Sequence, residues 1–233
     1  MSRDNQVKSK KRVTDHGEVY TAEREVNAML DLVKQETDRI DSRFLEPACG
    51  NGNFLAEVLS RKLASVKRKY KKSTYDYERN SILAVSSIYG VDILLDNVID
   101  CRERMFGIWD EEYKLVCKKE CNDDTREAAK FILSRNIVCG NALSLCRVDE
   151  KGIDTNEPIV FSEWTFPFND ARMQRKDYTF DELLNKDDKS AKKHKGKNQM
   201  TIIDESSPNG EGKFLKQYIS HYRRVQGNDR QFI

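Results

Sequence analysis

The chain is expected to fold as an α/β protein around a doubly wound, mostly parallel sheet. Three observations carry that expectation. Short apolar runs alternate with longer segments of helical period, the pattern of strands that return through helices. One run, Phe44-Leu45-Glu46, passes at once into two glycines one residue apart and then into an amphipathic segment. And 233 residues suffice for one sizeable core.

The elements follow in order. Thr21 is a good N-cap, and Val26, Met29, Leu30 and Val33 give a helix reaching about Ile40. Strand one is Arg43 to Glu46. The next helix spans about Asn53 to Tyr70, with Phe54, Leu55, Val58, Leu59 and Leu63 inward and a Lys- and Arg-rich end that suits a helix C-terminus. A third helix covers about Asp76 to Ser87, strand two is Ile88 to Asp92, and a helix runs from about Leu94 to Phe106. Glu111 to Cys121 reads as a charged helix or an insertion. Thr125 caps a helix through about Ser134, Asn136 to Cys139 is strand three, and Glu157 to Ser162 is strand four of the same parallel sheet. Beyond Asn169 the periodicity fades. Tyr178 to Leu184 has the pattern of a short helix, Asn185 to Gly212 that of a flexible loop. Phe214 to Arg224 carries aromatic and apolar anchors with which it could dock on the sheet.

Composition narrows the function classes. Charged residues make up 34%, the hydrophobic set 38%, and the formal net charge is +2. The average therefore carries no nucleic-acid signature. The basic tail Met1 to Arg12 and the lysine-rich run Lys186 to Lys197 can contact phosphates or stand as solvated segments. No stretch approaches membrane-spanning length, and the basic N-terminus lacks the apolar core of a secretory signal. Cys117 and Cys121 have no matching Cys or His pair, so no metal site is expected. Six scattered cysteines read as reduced thiols in a cytoplasm.

The strand-to-helix turn carries the chemistry. Gly50 and Gly52 lack a Cβ, so the chain can turn sharply and a ligand can approach the main chain. Glu46 at the strand end can accept hydrogen bonds from a cationic or hydroxyl-bearing ligand. A dinucleotide site would place a third glycine at Leu55, so a phosphate cradle is not expected.

The longer string Leu45-Glu46-Pro47-Ala48-Cys49-Gly50-Asn51-Gly52-Asn53-Phe54-Leu55 resembles the S-adenosyl-L-methionine-binding motif of the N6-adenine DNA methyltransferases of bacterial restriction-modification systems. The resemblance implies a Rossmann-like class I methyltransferase fold, S-adenosyl-L-methionine as cofactor, DNA as partner with a specificity or restriction subunit, and a cytoplasm of bacterial or phage origin. It implies cofactor contacts from Glu46, Pro47, Ala48, Gly50, Gly52 and Phe54. Asp15 to Thr21 looks like the family's motif X, which would bring Gly17, Tyr20 and Thr21 to the methionine part; a plain helix cap is the other reading. Asp92 would accept from the ribose hydroxyls, with Ile93 beside it. It follows Gly52 by about 40 residues rather than the usual interval of about 20. Asn141 and Ala142 would neighbour the adenine ring, or Asn141 is a loop asparagine.

The family follows strand four with Asn/Asp/Ser-Pro-Pro-Tyr/Phe, which holds the target amine and stacks on the extruded base. This chain has Ser162-Glu163-Trp164-Thr165-Phe166-Pro167-Phe168 there. Glu163 falls at the polar position and Phe166 at the aromatic one, but the paired prolines that aim the backbone are absent. The resemblance covers about Val13 to Phe168, so the fold is expected to be incomplete on its C-terminal side. The implied organisation is a basic tail over 1–12, a cofactor-binding domain over 13–184, and a Lys-rich loop with a C-terminal tail over 185–233. Three functions stay open, of which the first two are an adenine-N6 methyltransferase and a cofactor-binding remnant or regulatory subunit that needs a partner chain. A third is a methyltransferase for RNA, protein or a small molecule.

Overall fold

A computed structural model describes residues 12, 14, 21–191 and 214–232. Its centre is a parallel sheet of three strands, β1 (Phe44–Glu46), β2 (Ile88–Asp92) and β3 (Ile137–Cys139), in the order β1-β2-β3. Ile88 to Val91 are all buried, as an apolar run does when a parallel strand is covered on both faces.

Helices join these strands. Glu23–Leu32 (α1) and Lys34–Asp38 (α2) occupy the first expected helix, which breaks at Val33. The N-cap is Ala22, with no side-chain hydrogen bond, so Thr21 does not act as the cap. Asn53–Tyr70 (α3) has the expected limits and buries Leu55, Val58, Leu59, Leu63 and Val66 at helical spacing. Thr74–Ser86 (α4) is capped by Ser73, whose hydroxyl accepts from the Asp76 N–H.

Leu95–Cys117 (α5) extends well past Phe106 and absorbs most of the charged segment. The reason is a buried stripe, Val98, Cys101, Met105, Trp109, Tyr113 and Cys117, that continues on one face while charges occupy the others. Trp109 and Tyr113 stack within it, 4.7 Å between ring centroids. Asp123–Asn136 (α6) is capped by Asn122 rather than Thr125. Thr125 is instead buried, and its hydroxyl donates to Glu78.

The expected fourth parallel strand does not join the parallel sheet. Cys146–Val148 (β4) and Asp154–Pro158 (β5) form a small antiparallel hairpin. Val160–Thr165 (β6) pairs antiparallel with Arg172–Thr179 (β7), which pairs antiparallel with Lys216–His221 (β8). The physical reason lies in the turn after β6: Asp170 accepts from the Arg172 N–H and reverses the chain directly. The hairpin sheet then packs face-on against β2 and β3. The Tyr89 hydroxyl donates to the Ser162 carbonyl, Trp164 donates to Asn136, and Tyr89, Val91, Ile159, Phe161 and Phe180 form a second small core. Helix Phe180–Ala191 (α7) replaces the short helix expected from Tyr178. Thr179 and Glu182 start it by exchanging side-chain-to-backbone hydrogen bonds, a capping box.

The C-terminal segment belongs to this architecture from residue 214 on. A 3-10 stretch, Tyr222–Phe232, follows β8, and Tyr222 and Val225 are buried in the main core. The observed fold is thus mixed α/β with a small parallel sheet and a separate antiparallel one. Among the described residues, no helix is long and apolar enough to cross a membrane.

Candidate cofactor site

The C-terminal ends of β1, β2 and β3 meet at one edge. The turn after β1 brings Glu46, Pro47, Ala48, Gly50 and Gly52 there, and α3 starts at Asn53. Gly50 (φ 52°) and Gly52 (φ 84°) are both left-handed, the conformation that their lack of a Cβ permits. A Cβ at Gly52 would stand 2.6 Å from Cys101 Sγ, so α5 packs on the turn as closely as the chain allows.

Asp92 organises this edge. Its carboxylate accepts from the Gly50 N–H at 2.9 Å, the Leu94 N–H at 2.8 Å and the Asn97 amide at 3.3 Å. Its carbonyl accepts from the Gly140 N–H at 3.0 Å. One residue therefore ties the glycine turn, the start of α5 and the end of β3. The Cys49 N–H adds a bond to the Val91 carbonyl, 2.9 Å.

Glu46 is half-buried. Desolvation raises its carboxyl pKa, against a hydrogen bond from the Ala48 backbone that lowers it. Pro47 and Ala48 are exposed, and Phe54 turns inward against the main core. Ile93 is 37% exposed beside Asp92, where its Cγ1 is 4.0 Å from the place a Cβ on Gly152 would take. Cys49 is buried, and hydrogen bonding with Cys101 followed by burial pushes its thiol pKa far above the ordinary value.

Asn141 and Ala142 follow β3 at the same edge. The Asn141 amide donates to Asp154 at 3.0 and 3.2 Å, and its oxygen accepts from the Leu143 N–H. Its orientation is therefore set by the β4–β5 hairpin. Ala142 packs against the second core. Thr21 is exposed, and its carbonyl accepts from the Asn53 side chain at 3.5 Å, which brings this residue to the start of α3. Gly17 and Tyr20 lie outside the described residues.

Glu163 and Phe166 stand elsewhere. Ile159, just before β6, adjoins Gly140 at the C-terminal edge of the parallel sheet, and Trp164 adjoins Asn136 at the start of β3. β6 therefore runs away from that edge toward the opposite one. There Glu163 pairs with Arg43, the residue before β1, at 2.6 Å. Phe166 packs on the main core, with the Arg79 guanidinium 3.9 Å from its ring centroid and Tyr222 at 6.2 Å. Neither residue is brought to Asp92 or the glycine turn.

Sequence reasoning missed Asn97, which is buried beside Asp92. It also missed Arg12, from the basic tail, which pairs with Asp96 and donates to Asn97 at 3.2 Å. The available signal was the Asp-x-x-x-x-Asn spacing, which puts Asn97 one turn into the helix that Asp92 precedes. Among the described residues no cluster of His, Cys, Asp and Glu suited to a metal ion occurs. No protein-family model matches the chain, and neither does any curated protein or solved structure.

Proposed function

We propose that this chain binds S-adenosyl-L-methionine at the C-terminal edge of its parallel sheet. On this reading it is the cofactor-binding component of a Rossmann-like DNA adenine-N6 methyltransferase of a restriction-modification system, and a partner chain holds the target base. The observation that carries it is the hydrogen bond from Gly50 to Asp92. It makes one constellation of the methyltransferase-like string and the strand-end acid, which are far apart in sequence.

The residues divide the work by chemistry. The Asp92 carboxylate, fixed by backbone donors, is the acceptor for ribose hydroxyls. Glu46 accepts from the methionine amine, and Ile93 with Ala142 supplies apolar surface to the adenine. The bound cofactor would supply an electrophilic methyl group. This chain's contribution to rate is then positioning and exclusion of water. The partner half rests on the placement of Glu163 and Phe166 at the opposite edge, engaged by Arg43 and Arg79. Six unbridged cysteines fit a cytoplasmic setting.

Calorimetry of the full chain with S-adenosyl-L-methionine tests the cofactor half. The expected affinity is micromolar, about −7 to −8 kcal/mol, and Asp92→Ala should weaken it by roughly 1–3 kcal/mol. A folded protein that gives no heat rejects it. Tritium transfer to mixed plasmid DNA, with and without neighbouring-gene products, tests the partner half. Transfer by the chain alone overturns that half.

A further inference from the structure

A cleft of about 630 Å³ lies between the two sheets, away from the glycine turn. Its floor is one face of the antiparallel sheet, where Arg175 pairs across strands with Tyr218 and Asp177 with Lys216. Its walls are the ends of α5 and α6 and the β4–β5 hairpin, which contribute Arg102, Arg135 and Arg147. At its upper end it reaches Leu95 and Cys139, which flank Ile93 and Gly140 at the cofactor edge.

Charge in this cleft is one-sided. Five cationic side chains line it, against the acids Glu157 and Asp177. Asp177 is already engaged: it takes two bonds from Arg175, both 2.7 Å, and lies 3.4 Å from Arg135. Arg102 donates only to neutral acceptors, the carbonyls of Ile137 and Ser134. Burial lowers its pKa, and nearby Arg147 acts in the same direction. Arg147 is exposed on β4. Among the described residues, neither Arg102 nor Arg147 has a carboxylate within ion-pair distance. Two guanidiniums that make no ion pair with Glu157 or Asp177, beside an exposed Lys216 and a half-buried tyrosine, are suited to an anion with aromatic neighbours.

We propose that this cleft binds the phosphodiester backbone of a single nucleic-acid strand. Arginine forks match phosphate oxygens, and at the floor Tyr218, with the Arg175 guanidinium 4.9 Å from its ring centroid, adds an aromatic and cationic neighbour for a base. The cleft falls within the roughly 300–1,000 Å³ of small-ligand sites, so it takes a short stretch of one strand rather than the body of a duplex. The proposal rests on nucleic acid being the partner but is independent of cofactor binding. It places the strand on the β3 side of the fold rather than on the lysine-rich run alone.

The test is fluorescence anisotropy of a labelled single-stranded oligonucleotide with the full chain, over about 50 to 200 mM salt. The parent should bind with a steep salt dependence. The double variant Arg147→Ala/Lys216→Ala should bind about tenfold more weakly, its slope of log K against log salt reduced by roughly 0.7 per lost contact. Lys119→Ala, on an exposed turn far along the chain from these residues, should match the parent. A parent that does not bind overturns the proposal. So does a double variant with unchanged affinity and slope, which would move the interface to the lysine-rich run. Displacement of the oligonucleotide by equimolar nucleoside monophosphate or inorganic phosphate also overturns it, in favour of a free small ligand. Cofactor calorimetry on the same double variant should match the parent. Absence of cofactor heat would reject the proposed function while leaving the anisotropy result standing.

Discussion

Arg43 Nη2 lies 2.6 Å from Glu163 Oε1, with the two side chains 14% and 19% exposed. This pair joins the residue before β1 to the middle of β6, at the edge of the sheet opposite Asp92. Glu163→Gln should therefore destabilise the fold by roughly 1–3 kcal/mol, the cost of a lost charged hydrogen bond. It should leave the heat of the proposed S-adenosyl-L-methionine binding unchanged. Urea melts and calorimetry on the same preparation check both. A stable variant that no longer binds cofactor would mean that Glu163 belongs to the cofactor site.

A second long-range pair holds the C-terminal segment. The Arg223 guanidinium donates to both carboxylate oxygens of the fully buried Glu78, at 2.6 and 2.9 Å, and Thr125 also donates to Glu78. Arg223→Ala leaves a buried carboxylate uncompensated, at a cost of about 3–5 kcal/mol. Glu78→Gln/Arg223→Met should cost less than the single change, because the pair is removed together. A thermal-melt comparison decides, and a single variant as stable as the parent refutes the pairing.

At the glycine turn, Gly52→Ala meets two obstacles. Its φ of 84° is a conformation that L residues rarely adopt, and the new methyl would meet Cys101 Sγ. Cys101→Gly should restore only part of the loss, since it clears the space without relieving the backbone. The residual is expected at about 1–2 kcal/mol, read as the difference in urea midpoint between the double variant and Cys101→Gly. Full recovery would assign the whole effect to packing.

Lys62 makes stability depend on pH. It is fully buried, and its ammonium donates to the carbonyls of Arg39, Ile40 and Ser42. Burial lowers its pKa from 10.5 to about 7, against the opposing pull of Asp41 and Glu36. Between those two values the unfolded chain holds more protons than the folded one, so this group's contribution to stability rises with pH across that window. Below about 7 both states are protonated and the contribution is flat. The urea midpoint of the parent should therefore rise relative to Lys62→Met from neutral pH to about pH 9.5. A constant difference would show that the carbonyls hold the proton throughout.

Elements governed by near neighbours were legible in the sequence. The limits of α3, Asn53–Tyr70, and of β2, Ile88–Asp92, follow from apolar spacing and flanking residues within a turn or two. The left-handed glycines at 50 and 52 follow from the strand-to-helix corner they must make. The stripe from Val98 to Cys117 was present too, but the surrounding charges hid that α5 continues through it.

The sequence by itself determined that Val160–Thr165 is extended and that Glu163, Gly50 and Asp92 are present at their spacings. Only the tertiary structure decided which strands Val160–Thr165 would join. The same alternation serves a parallel neighbour of β1 or an antiparallel hairpin. The choice was made by the turn at Asp170, which returns the chain into β7, together with Asn136, Tyr89 and β8, which lie tens of residues away. That choice moved Glu163 to Arg43 while the backbone bonds of Asp92 kept the glycine turn at the other edge. Local propensity acts over a few residues, whereas the position of a charge depends on the distant group that neutralises it.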